Sequence, residues 1–168
     1  MTTTLAPDVD TPLQHAFRGA MGQVAAPVAV VTTLRDGVPY GTTVSAFMSL
    51  SMSPPMLSFA LDAGSRLLGR IAVGSVVGVN VLAAHQSDLA LRFASRSDED
   101  RFAGIGWRIE NDAPALAERH AWVALRVSRL VEAGDHTLVL GDVTGAQACS
   151  TSGPLTYWCR SFGTHAPR

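Results

Sequence analysis

From Ala121 to Glu132 the residues Ala121, Val123, Leu125 and Val127 recur at every second position, and a further extended run leads from His136 to about Gln147. Side chains of an extended strand point alternately to opposite faces, so a period of two marks a strand with one apolar face. The intervening Ala133-Gly134-Asp135 supplies a reversal, and the whole segment predicts a long antiparallel hairpin. Such a hairpin needs neighbouring strands, and the rest of the chain offers them. Val28 to Leu34 is a β-branched run, Arg35-Asp36-Gly37 is a turn, and a second strand runs from Val38 towards Phe47. Pro54-Pro55 interrupts the pattern; Met56 to Leu61 and Ser75 to Leu82 then read as buried strands, with a short helix from Ser65 to about Ala72 between them.

Helical signals are fewer. Thr11 and Pro12 form an N-cap and first-turn pair, followed by the stripe Leu13, Ala16, Phe17, Ala20, Met21 and Val24, which Pro27 should end. Gln86 to Ser95 reads as a second helix. Short strands with turn signals about every ten residues favour a mainly β, antiparallel barrel over a doubly wound sheet. The expected organisation is a flexible leader over residues 1–10, one domain over 11–163 and a tail over 164–168, without repeats or a second domain.

The 168 residues are 47% hydrophobic and 16% charged, enough apolar material for one globular core. Thirteen basic and fourteen acidic side chains leave a formal charge of -1. No broad basic face for nucleic acid or anionic lipid is therefore expected, and the partners should be small molecules or proteins. All the basic residues are arginines, which excludes Schiff-base chemistry on a lysine. The longest apolar stretch, Ile71 to Ala84, is interrupted by glycines and Asn80 and falls short of the roughly 18 residues of a membrane span. The N-terminus lacks the basic-then-apolar order of a signal peptide, so a cytoplasmic protein is expected. Cys149 and Cys159 have no CxxC spacing and read as reduced thiols, and the histidines at 15, 85, 120, 136 and 165 have no ligand partner at metal-binding spacing. GxGxxG, Walker, GxSxG and HExxH motifs are all absent.

The unusual stretch is Gly41 to Pro55, where Thr42, Thr43, Ser45, Ser49, Ser51 and Ser53 crowd hydroxyls into what should be apolar strand. Hydroxyls buried without partners are costly. Either this is an edge strand with one wet face, or the segment binds a ligand rich in acceptors, such as a phosphate. Asn80, inside an apolar strand, must also find partners.

Gly41 to Pro55 followed by Ser65-Arg-Leu-Leu68, Val79-Asn-Val-Leu82, Gln86 with Leu89-Ala-Leu-Arg-Phe-Ala94, Asp100-Arg-Phe102, Gly134-Asp-His136 with Leu140-Gly141, and Pro154-Leu-Thr-Tyr157 resembles the flavin reductase-like family. The ordered set runs from about Gln14 to Phe162, nearly the whole chain. The family includes the small reductase components of two-component flavin-dependent monooxygenases.

The resemblance implies a split β-barrel, a homodimer, and flavin (FMN or FAD) reduced by NADH or NADPH without a Rossmann domain. Hydride passes from nicotinamide C4 to flavin N5 by positioning, so no catalytic acid or nucleophile is expected. Reduced flavin would then go to a partner monooxygenase. The alternatives are a flavoprotein that holds its flavin tightly and passes electrons elsewhere, or a non-catalytic flavin-binding module. Carried over, Thr42, Thr43, Ser45 and Ala46 should line the isoalloxazine. Ala60, Leu61, Asp62, Ser65 and Arg66 should wrap the ribityl and phosphate end, with Ala94 and Ser95 as a third contact. Asn80 would meet either the adjacent backbone or the flavin ring. His136 should orient the nicotinamide nucleotide. In the tail, Trp158 could stack on it and Arg160 meet a phosphate, or the segment could be an aromatic core strand. Arg35 or Arg160 could reach a 2′-phosphate. The family commonly has a second serine where this chain has Ala46, and many relatives have a cysteine where it has Ala124.

Overall fold

A computed structural model of the chain describes residues 10–95, 101–149 and 152–165. Of the expected leader and tail, residues 1–9 and 166–168 lie outside the described residues, as does Asp100 of the Asp-Arg-Phe run. Helix α1 spans Pro12–Met21. The Thr11 hydroxyl accepts from the Gln14 amide while the Gln14 side chain accepts from the Thr11 amide, and Pro12 sits in the first turn, where its missing N–H costs nothing. The helix ends at Met21, well before Pro27, because Gly22 follows as a poor helix former.

The strands are β1 (Ala26–Pro27), β2 (Ala29–Arg35), β3 (Val38–Val44), β4 (Phe47–Met52), β5 (Pro55–Asp62), β6 (Val76–Val81), β7 (Trp107–Glu110), β8 (Ala113–Leu116), β9 (Ala121–Ala133), β10 (His136–Ala148), β11 (Leu155–Trp158) and β12 (Ser161–Thr164), with helix α2 (Ser87–Ala94) between β6 and β7. Seven of them form one antiparallel sheet in the order β3-β2-β6-β9-β10-β5-β4. Its two edge strands, β3 and β4, are consecutive in the chain and joined only by Ser45-Ala46, which brings the two ends of the sheet together, and the Ala60 amide donates to the Ala46 carbonyl at 2.9 Å in continuation of the β4–β5 ladder. The sheet is thus curled into a split barrel. The strand expected from Val38 towards Phe47 breaks at this junction because the chain must cross from one end of the sheet to the other. The helix expected from Ser65 to Ala72 contracts to a 3-10 turn, Leu68–Arg70; Gly64 and Gly69 weaken helix there, while Leu67 and Ile71 are drawn into the core.

The β9–β10 hairpin runs from His136 opposite Ala133 to Ala148 opposite Ala121. Two bulges, one with Ser128 extra on β9 and one with Thr144 extra on β10, add local twist and help the sheet curl. Leu125 and Val127 face the barrel interior with Ala29, Val31, Val77, Val79, Phe59 and Val139. The outer face of β9 is buried as well: Trp122 and Ala124 pack under Ala113 and Ala115 of the small β7–β8 hairpin. Gly78 lets the Trp122 ring lie flat on the sheet, since a Cβ there would stand 2.0 Å from the indole. A third cluster joins Val28, Val30 and Leu82 to α2 through Ala90 and Phe93. Phe93, Phe102 and Trp107 meet edge to face within it, with centroids 5.0 and 6.0 Å apart.

Asn80 belongs to this outer layer. Its Nδ2 donates to the Val30 carbonyl at 3.1 Å and to the Thr32 hydroxyl at 3.3 Å, and its Oδ1 accepts from the Leu116 amide at 2.8 Å. Thr32 in turn donates to the Pro114 carbonyl at 2.5 Å. Together they fasten β8 onto the sheet.

Candidate functional site

Where the two ends of the curled sheet meet, a cavity of about 970 Å³ opens to solvent. Residues 38–46 of β3 and the junction form one wall; Ala60, Leu61 and Asp62 at the end of β5 and the following Gly64, Ser65, Arg66, Leu67 and Arg70 form another. Ala94 and Ser95 at the end of α2, Arg101, Phe102, and His136 at the start of β10 complete it. Thr42, Thr43, Ser45, Ala46, Ala60, Leu61, Asp62, Ser65, Arg66, Ala94, Ser95 and His136, far apart in sequence, therefore share one cavity.

Two of the hydroxyls on this wall position the site through helix α2. Thr43 donates to the Ala90 carbonyl at 2.7 Å and Thr42 to the Phe93 carbonyl at 3.4 Å, the latter satisfying one of the carbonyls that a helix leaves open at its C-terminus. Gly41 permits this close seating, for a Cβ there would stand 2.9 Å from the Phe93 ring. Beyond β5, the Asp62 carboxylate accepts from the Gly64 amide at 2.7 Å and its carbonyl from the Ser65 amide at 2.8 Å, shaping the turn that presents Ser65 and Arg66.

Three arginines converge on the cavity. Arg101 donates to the Gly41 carbonyl at 2.8 Å and also to the Ser95 carbonyl, tying β3 to the end of α2. Burial, and then the like charge of Arg66, push the Arg101 guanidinium below its ordinary pKa. Arg70 donates to the Arg66 carbonyl at 2.5 Å and lies 4.0 Å over the Tyr40 ring. A concentration of guanidinium charge against one wall calls for an anion. Beside the end of β5, His136 pairs with Asp62 in the strand register, with its Nδ1 2.7 Å from Asp135 Oδ1. The hydrogen bond from His136, and then its charge, hold the Asp135 carboxyl below the usual carboxylate range.

Small and apolar surface from Ala46, Ala60 and Leu61, guanidinium donors, and one histidine suit a ligand with a flat ring system and an anionic tail. Among the described residues no cluster of His, Cys, Asp or Glu could hold a metal ion.

Three anticipated contacts lie elsewhere. Asn80 takes its partners from the backbone and Thr32, and not from the cavity. Trp158 lies on β11 of the separate three-stranded sheet, 53% exposed, with its indole N–H donating to the Gln23 carbonyl at 3.1 Å; Arg160 follows in the β11–β12 turn. The exposure of Tyr157 and Trp158 rules out an aromatic core strand. Conversely, the sequence did not single out Tyr40, Arg70 or Arg101 as cavity residues. For Arg101 the Asp-Arg-Phe run was a usable signal; for Tyr40 and Arg70 only the folded geometry brings them together.

Comparison with known proteins agrees with this geometry. The family model for the flavin reductase like domain matches residues 21–166. The reductase component of a 4-nitrophenol 4-monooxygenase/4-nitrocatechol 2-monooxygenase from Rhodococcus opacus is 36% identical over 157 residues, covering 93% of this chain and 84% of that protein. A flavin reductase (NADH) from Kitasatospora aureofaciens is 38% identical over 151 residues, covering 87% and 78%. Among solved structures, an NADH:FAD oxidoreductase of Streptomyces globisporus in complex with NAD and FAD fragments superimposes with a TM-score of 0.86 at 30% identity, covering 96% of this chain and 98% of that one. A curled antiparallel sheet with a basic cavity at its seam, matched over nearly its whole length, makes this chain a member of the flavin reductase-like family.

Proposed function

We infer that the protein is an NAD(P)H-dependent flavin reductase that supplies reduced flavin to a partner monooxygenase. The observation that carries this reading is the seam cavity, whose lining brings together the small apolar Ala46 and Ala60, three arginines and His136. A bound flavin supplies the acceptor for the nicotinamide hydride. The chain's own residues bind and orient. Ser45, Ala46 and Ala60 give the ring system a narrow bed, while Ser65 and Arg66 meet the phosphate with a hydroxyl and a charge-assisted fork. Arg101 ties the β3 wall of the cavity to the end of α2 through its two carbonyl contacts. The Asp135 carboxylate engages Nδ1 of His136, which leaves Nε2 to meet the nicotinamide nucleotide. Placing the two rings face to face is the main contribution a protein makes to such a reaction.

The homodimer reading draws support from α1. Leu13, Phe17, Met21 and Val24 are 78%, 66%, 49% and 53% exposed, so the apolar stripe of this helix and the turn after it is left largely uncovered by the described residues. No helix of the described residues is long and apolar enough to cross a membrane, and the free, exposed thiols of Cys149 and Cys159 fit a reducing compartment such as the cytoplasm.

The test is oxidation of NADH and of NADPH by flavin-stripped protein, with and without added FMN and FAD. Turnover that requires added flavin and saturates with it is expected. Turnover that survives stripping attempts because the flavin stays bound would favour a prosthetic group, and binding without any turnover would leave a non-catalytic flavin module.

A further inference from the structure

Arg101 lines the seam cavity, yet its side chain is committed to backbone. We propose that Arg101 is a positioning residue for the flavin ring: it fixes the β3 wall against the end of α2, and its contribution goes to the ring system and not to the phosphate. The proposal rests on the flavin reading of the cavity and adds a residue to it.

The fold leaves two kinds of backbone group open here. β3 is an edge strand, so a carbonyl on its outer side has no neighbouring strand to accept from, and a helix leaves its last carbonyls without intrahelical donors. Arg101 answers one of each. Its Nη1 donates to the Gly41 carbonyl at 2.8 Å, and its Nη2 donates to the carbonyl of Ser95, the C-cap of α2. The same two elements are joined by Thr42, which donates to the Phe93 carbonyl at 3.4 Å, and by Thr43, which donates to the Ala90 carbonyl at 2.7 Å. Three successive residues of β3 are thereby held to α2. The hydroxyls make single bonds, whereas Arg101 adds a planar, rigid fork that spans both elements. Its charge also lies at the negative end of the helix dipole.

The competing role for such a residue is direct contact with the phosphate, and two observations weigh against it. An arginine grips a phosphate best through a pair of parallel N–H donors, and both terminal nitrogens of Arg101 already donate to carbonyls. Burial and the neighbouring charge of Arg66 work against a cation at this place, and the two carbonyls offset that cost. Arg66, by contrast, is exposed on the turn after β5, where a ligand can reach it. The wall that Arg101 steadies runs directly into Ser45 and Ala46, the bed of the ring. Placement of that ring against the nicotinamide governs the rate of hydride transfer.

Riboflavin carries the ring system without a phosphate and FMN carries both, so the pair separates the two roles. Flavin-stripped, full-length wild type, Arg101→Met and Arg101→Lys are titrated with each ligand by flavin fluorescence, and kcat for NADH oxidation is measured at saturating FMN. Arg101→Met should weaken riboflavin and FMN binding by the same factor, about tenfold, and lower kcat several-fold. A lysine keeps the charge but has one nitrogen and cannot bridge two carbonyls, so Arg101→Lys should show the same equal loss at smaller size. The lysine arm stands even where the methionine variant folds poorly. A loss confined to FMN, full affinity for both ligands in the lysine variant, or an unchanged kcat would each overturn the proposal. Wild-type protein that binds neither ligand would overturn the flavin reading itself, and this one with it.

Discussion

Asn80 shows how a polar residue in an apolar strand is resolved. Fully buried, it makes three hydrogen bonds that join β2, β6 and β8. Replacing it with Ala strands the Leu116 amide, and a buried group without a partner costs about 1–3 kcal/mol. Asn80→Ala should therefore lower stability by roughly that amount in urea denaturation with flavin affinity unchanged; a selective loss of flavin affinity would return Asn80 to the ligand. His136 should behave in the opposite way. His136→Ala should raise KM for NADH several-fold, far more than it changes flavin affinity, and an unmoved KM would remove the nicotinamide role. The same pair makes a titration prediction. Because the folded Asp135 carboxyl lies below its unfolded value of about 3.9, its contribution to stability is present above that pH and is lost as pH falls through the lower folded value. Carboxyl NMR should find Asp135 titrating below the free range in wild type and within it in His136→Ala.

At the level of elements, what the sequence revealed depended on whether an element's pattern was its own. The β9–β10 hairpin was legible because the period of two and the Gly134 turn are local, and α1 because Thr11, Pro12 and Gln14 form a complete cap. The β7–β8 hairpin was not: Trp107–Glu110 and Ala113–Leu116 are four residues each, too short to express a period, and exist as strands because Thr32 and Asn80 anchor β8. The absence of a signal for that cover also hid the burial of Trp122 and Ala124 on the second face of β9. The Ser65 to Ala72 segment misled because Leu67 and Ile71 are helically spaced, whereas the backbone there serves the cavity turn. A substitution tests the two-sided packing. Gly78→Ala forces a methyl into the Trp122 ring and should cost about 1–3 kcal/mol, and adding Trp122→Leu should return part of it in a double-mutant cycle of thermal melts.

For the whole molecule, the site arises from closure: no element contains it, and each wall comes from a different end of one sheet. The sequence named many of its residues through family resemblance, while the hydroxyl pattern alone left open both a wet edge and a ligand wall. Thr42 and Thr43 have a role that neither reading foresaw, since they hold α2 in place while lining the cavity. The uncovered stripe of α1 sets a prediction at this scale. Light scattering behind size exclusion should give twice the 17.7 kDa chain mass, and Phe17→Glu should shift it towards the monomer; a wild-type monomer would end the dimer reading.

The edge-to-face stack within the α2 cluster carries an optical consequence. Trp107 lies one ring away from the cavity, its centroid 6.0 Å from Phe102, whose side chain is part of the cavity lining. Indole emission overlaps the near-ultraviolet absorption of oxidised flavin, so excitation passes from one to the other over distances far longer than this. If the proposed cavity is where flavin binds, the protein carries its own donor beside the acceptor, and adding flavin should register as lost tryptophan light with no label attached.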